Sequence, residues 1–232
     1  MPATSHDRRP ARWAGLAPAD RRAERRTLLL DAAFDLLGTA GWGGTTVRAV
    51  CQAARLNPRY FYESFADIDA LVVAVYDRLV GQLSREVLAA VAAAGGDAGA
   101  QTRAAVDRIV SFVDEDRRRA RVLYVEALGN EALNRRRIET GHMLVAAVEQ
   151  HTAERHGRPA PGEPIGRIAA AVLVGGTSEL VLAWLDGRID VDRDRLVDGA
   201  TALFLALGEA AAAVAADRRP AAATGGRRPR PR

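Results

Sequence analysis

Three side chains with chemistry to offer stand close together on one short segment: Arg59, Tyr60 and Tyr62. An arginine guanidinium pairs with guanine O6 and N7 through two parallel N–H donors, and a tyrosine can meet a thymine methyl or a phosphate oxygen. Phe61 and Phe65, four apart, are the large apolar anchors of this segment. Its other faces carry Arg59, Tyr60, Tyr62, Glu63 and Ser64 and are left to meet a partner. That is the make-up of a helix offered to the DNA major groove. Enzymatic chemistry has no comparable footing. The sequence contains no Gly-x-Ser-x-Gly, no phosphate-cradling Gly-x-x-x-x-Gly-Lys and no His-Glu-x-x-His. His142, His151 and His156 lack the spacing of metal ligands on a helix face. No catalytic residues, metal or cofactor are expected.

A segment of this kind needs a second helix to hold it. Val47, Val50, Cys51 and Ala54 recur at i, i+3, i+4 and i+7, one buried stripe of a preceding helix. Cys51, the one cysteine, falls on that stripe and reads as a small core residue; it rules out an intramolecular disulfide. Asn57 and Pro58 restart the chain, Asn as N-cap and Pro at the first helical position, where a missing N–H costs nothing. Thr45 is expected to cap the first helix of the pair, with its hydroxyl or N–H towards a phosphate. Thr46 and Arg48 then lie at the groove edge. Upstream, Leu29, Ala32, Ala33, Leu36, Leu37 and Ala40 share one face of a supporting helix over residues 26–41, ended by a left-handed Gly41. Downstream, Asp67 can cap a helix running from Ile68.

These residues, read in order, resemble the TetR family of bacterial transcriptional regulators. The resemblance runs over about residues 22–75 and is carried by Gly41-Trp42, Thr45-Thr46-Val47, Ala53-Ala54, Tyr62-Glu63-Ser64-Phe65 and Asp67 through Leu71. It implies an all-α fold, with an N-terminal three-helix helix-turn-helix domain and a C-terminal helical bundle for ligand binding and dimerisation. It implies that Tyr62 contacts phosphate. Three positions depart from the pattern. Arg55 stands where glycine is usual, Ile68 where a phosphate-touching lysine is usual, and Arg59 where a small residue is usual. Arg21, Arg22, Arg25 and Arg26 are candidates to replace the missing phosphate contact.

Charge follows the same division. All 33 basic residues are Arg, against 29 acidic residues, a net charge of +4. Residues 1–65 carry a net +4, residues 66–216 a net −5 and residues 217–232 a net +5. A basic head on an acidic body fits one end meeting DNA and the other not. Expected domains are a disordered basic arm at 1–19, the helix-turn-helix domain at 20–66, the helical body at 67–216 and a disordered Arg-rich tail at 217–232. No signal peptide and no apolar run long enough to span a bilayer are read from the sequence, so a cytoplasmic protein without membrane contact is expected.

The body reads as helices at 68–94, 100–118, 121–128, 131–156, 165–185 and 192–216, with a Pro- and Gly-rich loop at 157–164. The helix at 165–185 is apolar on nearly every side, so burial on more than one face is expected. In the family resembled, the last two helices of each subunit form a four-helix bundle across a two-fold axis. Gly175, Gly176, Leu180, Leu203 and Leu207 are the candidates for that seam. The resemblance also implies a small-molecule pocket in the body, with Phe112, Tyr124, Glu126, His142, Glu179 and Trp184 as candidate lining residues. The function implied is a homodimeric regulator, a repressor, that binds a palindromic double-stranded DNA operator and is released by a small-molecule effector of unknown identity. The alternative is a constitutive DNA-binding or protein-interacting helical protein without an effector.

Overall fold

Ala, Leu and Arg at three- and four-residue spacing favour helix. In the computed structural model, which describes residues 17–156 and 164–218, no strand occurs among the described residues. The chain runs through α1 (Pro18–Gly44), α2 (Val47–Ala54), α3 (Pro58–Tyr62), α4 (Ile68–Ala93), α5 (Ala98–Asp114) and α6 (Arg117–Ala120). A π turn (Arg121–Val125) and a 3-10 turn (Glu126–Leu128) follow, then α7 (Glu131–His156), α8 (Ile165–Leu185) and α9 (Arg193–Asp217). Helix α1 starts inside the stretch assigned to the basic arm, since Pro18 is its first residue. The rest of that arm, the Arg-rich tail beyond Arg218 and the loop before Pro164 lie outside the described residues.

The chain divides into two compact units: residues up to Glu86 with Ser111–Arg137, and Val87–Val110 with residues from Ile138 onwards. In the first, α1 packs on α2, α3 and α6. Its core includes Leu29, Leu37, Val50, Phe61, Phe112 and Val122, all sealed from solvent. Gly38 makes the approach of α6 possible, because a Cβ there would stand 2.5 Å from the Arg118 Cβ. Arg118 then ties the two helices together. It pairs with Asp35 at 2.8 Å and lies over the Phe34 ring at 4.9 Å. Asp116 caps α6 by accepting from the Arg118 N–H at 3.0 Å, and also accepts from Arg118 Nε and Nη2. The Arg118 side chain holds the Asp116 carboxyl below its ordinary range.

Helix α1 breaks at Gly41, whose φ of 73° and ψ of −175° belong to a region nearly closed to residues with a Cβ. The sequence reading of a helix-ending left-handed glycine is corrected here. The φ is positive, but ψ is extended, and a further helical turn reaches Gly44. The break exposes the Trp42 N–H, which donates to Glu126 Oε2 at 2.7 Å. Arg121 Nε holds the other oxygen of Glu126 at 2.7 Å, and Arg121 Nη1 donates to the Thr39 carbonyl at 2.9 Å. An ordinary helix was expected over residues 121–128. The π turn instead bonds the Glu126 N–H to the Arg121 carbonyl, five residues back. That widening presents both side chains to the break in α1.

In the second unit α8 packs on α9. Val106 and Val110 of α5 meet Leu196, Val197 and Ala200 of α9, with Leu180 and Trp184 of α8 against them. Trp184 Nε1 donates to the Val191 carbonyl at 2.9 Å. Ion pairs Arg193–Asp107, at 2.6 Å, and Arg103–Asp198 join α9 to α5. Helix α8 corrects its expected burial on several faces. Ala169, Ala170 and Val181 are buried, while Ile168 and Val172 are more than half exposed. Both α8 and α9 are also long and apolar enough to cross a membrane by length and composition alone, with mean hydropathies of 1.8 and 1.6. The sequence reading missed this because single charges such as Arg167, Glu179 and Glu209 interrupt the apolar runs.

Two predictions follow from the first unit. Glu126→Ala leaves the Trp42 N–H without its acceptor, and should lower unfolding free energy by about 1–3 kcal/mol in urea titrations. Asp116→Ala should cost about 0.5–2 kcal/mol at pH 7, as loss of an N-cap. Because the folded carboxyl titrates below its ordinary value of 3.8, this contribution is complete above that value and disappears as pH falls through the folded pKa. Urea melts of wild type and variant should therefore converge only in strong acid.

Candidate nucleic-acid interface

Helix α2 is amphipathic, with Val50, Cys51 and Ala54 buried. Burial pushes the Cys51 thiol pKa up, as suits a core residue rather than a reactive thiolate. Its N-cap is Thr46, whose hydroxyl accepts from the Ala49 N–H at 3.1 Å. The expectation that Thr45 caps this helix is corrected. Thr45 is buried and its hydroxyl donates to the Gly41 carbonyl at 2.8 Å, so it belongs to the α1 break. Thr46 and Arg48 are exposed at the start of α2.

The turn between α2 and α3 uses Arg55 in the left-handed region, with φ 54° and ψ 40°. A side chain there costs roughly 1–2 kcal/mol. The Arg55 N–H to the Gln52 carbonyl at 3.1 Å and the Leu56 N–H to the Cys51 carbonyl at 2.9 Å offset it by closing the end of α2. Asn57 Oδ1 then accepts from the Arg59 N–H at 2.9 Å, and Pro58 opens α3, as the residue types predict.

Of the five residues of α3, only Phe61 is buried. The Arg59 side chain is 83% exposed, Tyr62 is 62% exposed, and Asn57, Pro58 and Tyr60 are also exposed. Phe61 sits edge-on to Tyr62 with ring centroids 5.3 Å apart, a contact that tethers the exposed Tyr62 ring to the buried Phe61. Phe65 is buried as expected, but just beyond the helix.

The arginines of α1 come to the same place. Arg25 lies over the Tyr60 ring at 4.4 Å and pairs with Glu63 at 3.3 Å. Arg26 lies over the Phe65 ring at 4.3 Å and donates to the Ser64 carbonyl, while Arg22 donates to the Glu63 carbonyl. Arg21 is half-buried on the same helix. Arg22, Arg25 and Arg26 thus brace α3 from behind as well as adding positive charge to its surroundings. Glu63, which the sequence reading did not single out, is the hub. Its carboxylate holds Arg25 and also Arg59 Nε at 3.1 Å. The i, i+4 spacing of Arg59 and Glu63 was a readable signal; the Arg25 contact, 38 residues away, was not.

The candidate pocket residues divide between the two units. Phe112, Tyr124 and Glu126 fall in the first, and His142, Glu179 and Trp184 in the second. Phe112 is fully buried with Arg119 over its ring at 4.3 Å, and Glu126 is held by Trp42 and Arg121. Burial of the Tyr124 phenol, with the Tyr76 phenol nearby, pushes its pKa up to about 12, so it stays protonated and neutral. His142 and Glu179 are exposed, and Trp184 packs on the core. Of the seam candidates, Gly175, Gly176 and Leu203 are exposed, Leu207 is half-buried, and Leu180 packs against the core of its own unit.

Residues 29–75 match the family model of the bacterial regulatory proteins of the tetR family. A comparison with curated protein sequences found no match. Among solved structures, the chain shares its fold with a TetR-like transcriptional regulator from Rhodococcus sp. RHA1, at 22% identity and TM-score 0.57, over 82% of this chain and 97% of that one. It is similar to a fatty acid degradation regulator, FadR, from Bacillus halodurans, at 17% identity and TM-score 0.65, over 78% and 94%. It is also similar to a multidrug binding protein, EbrR, solved with imidazole, at 23% identity and TM-score 0.62, over 83% and 97%. Residues 29–75 thus match the N-terminal domain of the tetR family, and the all-helical fold of the chain is shared with these solved structures.

Proposed function

We propose that this protein is a dimeric, cytoplasmic transcriptional repressor that places α3 of each subunit in the major groove of a palindromic operator. One observation carries the reading: α3 is a five-residue helix that buries only Phe61 and turns Arg59 and Tyr62 to solvent. A helix so short has no packing reason to be polar on every other face. Thr46, Arg48, Tyr60 and Tyr62 would take backbone contacts around it, and Arg59 would read a base.

The second copy is argued from α8 and α9. Ile168, Val172 and Leu203 leave more than half of their surface exposed. Gly175 and Gly176 lie on α8 with open space where a Cβ would stand. Small residues flanked by exposed apolar ones let a second pair of helices approach closely, and a two-fold axis makes that contact self-complementary. An organic effector in the helical body is part of the proposal, supported by the fold shared with EbrR, which is described as a multidrug binding protein. A constitutive binder is the second reading, favoured by Phe112 and Glu126 already being filled and partnered within the protein.

Selection from a random duplex library should recover an inverted repeat whose half-sites lie about one helical turn, roughly 34–36 Å, apart. Arg59→Ala should weaken binding by about 1–3 kcal/mol and relax one base position per half-site. Equal affinity for the selected site and for random DNA would sink the reading. Leu203→Asp should shift the protein from dimer to monomer in sedimentation and lower operator affinity with it; a dimer that survives Leu203→Asp and Val172→Asp together would place the interface elsewhere. Ligands found by thermal shift should weaken the operator complex by about 1–3 kcal/mol, and reciprocally. Well-bound ligands that leave operator affinity unchanged would favour the constitutive binder.

A further inference from the structure

Glu63 puts a negative charge at the end of the helix proposed to read DNA, where it would be expected to repel phosphate. Its contacts give it another role. Oε1 accepts from Arg59 Nε at 3.1 Å, and Oε2 accepts from Arg25 Nη2 at 3.3 Å. Arg25 is itself well packed, 15% exposed, with its guanidinium over the Tyr60 ring. The backbone carbonyl of Glu63 accepts from Arg22. Two arginines thus hold the carboxylate and a third holds the backbone carbonyl, so the local charge stays positive and the carboxylate oxygens already have partners. The exposed Arg59–Glu63 pair adds little to stability. Its effect is on geometry.

An arginine carries five N–H donors in a planar fork. With Nε tied to Glu63, the guanidinium of Arg59 loses much of its rotational freedom. Its two terminal nitrogens have no partner among the described residues. Those are the two donors needed for an end-on pair of bonds to guanine O6 and N7. We infer that Glu63 is a positioning residue for base reading: anchored by Arg25, it holds the Arg59 guanidinium in the orientation that favours guanine. A reading side chain fixed by a supporting partner loses less freedom on binding and discriminates better than a free one.

The inference rests on α3 being the DNA-reading helix, and the test separates the two. Full-length wild type, Glu63→Ala, Glu63→Gln, Arg59→Ala and the Arg59→Ala/Glu63→Ala double variant would each select sites from a random duplex library. Wild type should prefer guanine at one position per half-site, and Arg59→Ala should lose that preference. Glu63→Ala should lower it about three- to tenfold, a part of the discrimination that one bidentate pair provides. Glu63→Gln, which keeps one acceptor oxygen, should lower it less. In the double variant the loss should be no larger than in Arg59→Ala alone, because the two residues act as a unit. Thermal melts establish folding, and Glu63→Gln carries the test if Glu63→Ala unfolds. Tighter binding of all DNA by Glu63→Ala with guanine preference unchanged would make Glu63 a repeller and overturn the inference. An equal change in preference with and without Arg59 would overturn it too, by showing that Glu63 acts only through the fold of α3. A wild type that selects no site at all would remove the DNA-reading assignment of α3 as well.

Discussion

The hydrogen bond from the Trp42 N–H to Glu126 is the contact on which the head of this molecule depends. It forms only because Gly41 takes a backbone conformation nearly closed to other residues, and because the π turn at Arg121–Val125 brings Arg121 and Glu126 to the same side. A Cβ on Gly41 would stand 2.9 Å from Arg121 Nη2 and 3.0 Å from both carboxylate oxygens of Glu126. Glycine there serves conformation and space at once. The chain leaves this junction through Thr45, whose hydroxyl reaches back to the Gly41 carbonyl, and enters α2 at once with Thr46 as cap. The direction of α2, and so the placement of α3, is set at this break.

Much of this was legible in the sequence, for local reasons. Asn57-Pro58 and Asp67 act as the helix starts their residue types dictate, and α7 and α8 run over the ranges read from the sequence. What was not legible depended on partners far along the chain. Thr45 looked like a cap because threonine is a good one, but the neighbouring Thr46 has the extended backbone that a cap needs. Glu126 was read only as a candidate to line a pocket. Its acceptor sites face Trp42, 84 residues away, which no periodicity reveals. Helix α8 was expected to be buried on several faces because its composition is apolar all round. Composition reports the total surface to be covered and not which molecule covers it.

The residues proposed to face DNA follow a consistent physical division. Apolar side chains of α2 and α3 are turned inward, arginines of α1 brace α3 from behind, and Arg59 and Tyr62 are left outward on a capped, rigid stub. Arg55 stores a small amount of backbone strain at the turn between the helices, and the bonds that close α2 contain it. If these residues read DNA as proposed, holding them on a braced element reduces the freedom lost on binding.

The most direct test is methylation interference at guanine N7 on the selected operator. N7 lies in the major groove and accepts one of the two bonds assigned to Arg59. The account predicts that methylating one guanine per half-site abolishes binding, symmetrically about the two-fold axis, and that Arg59→Ala loses this sensitivity. Binding that tolerates N7 methylation at every guanine would contradict the account.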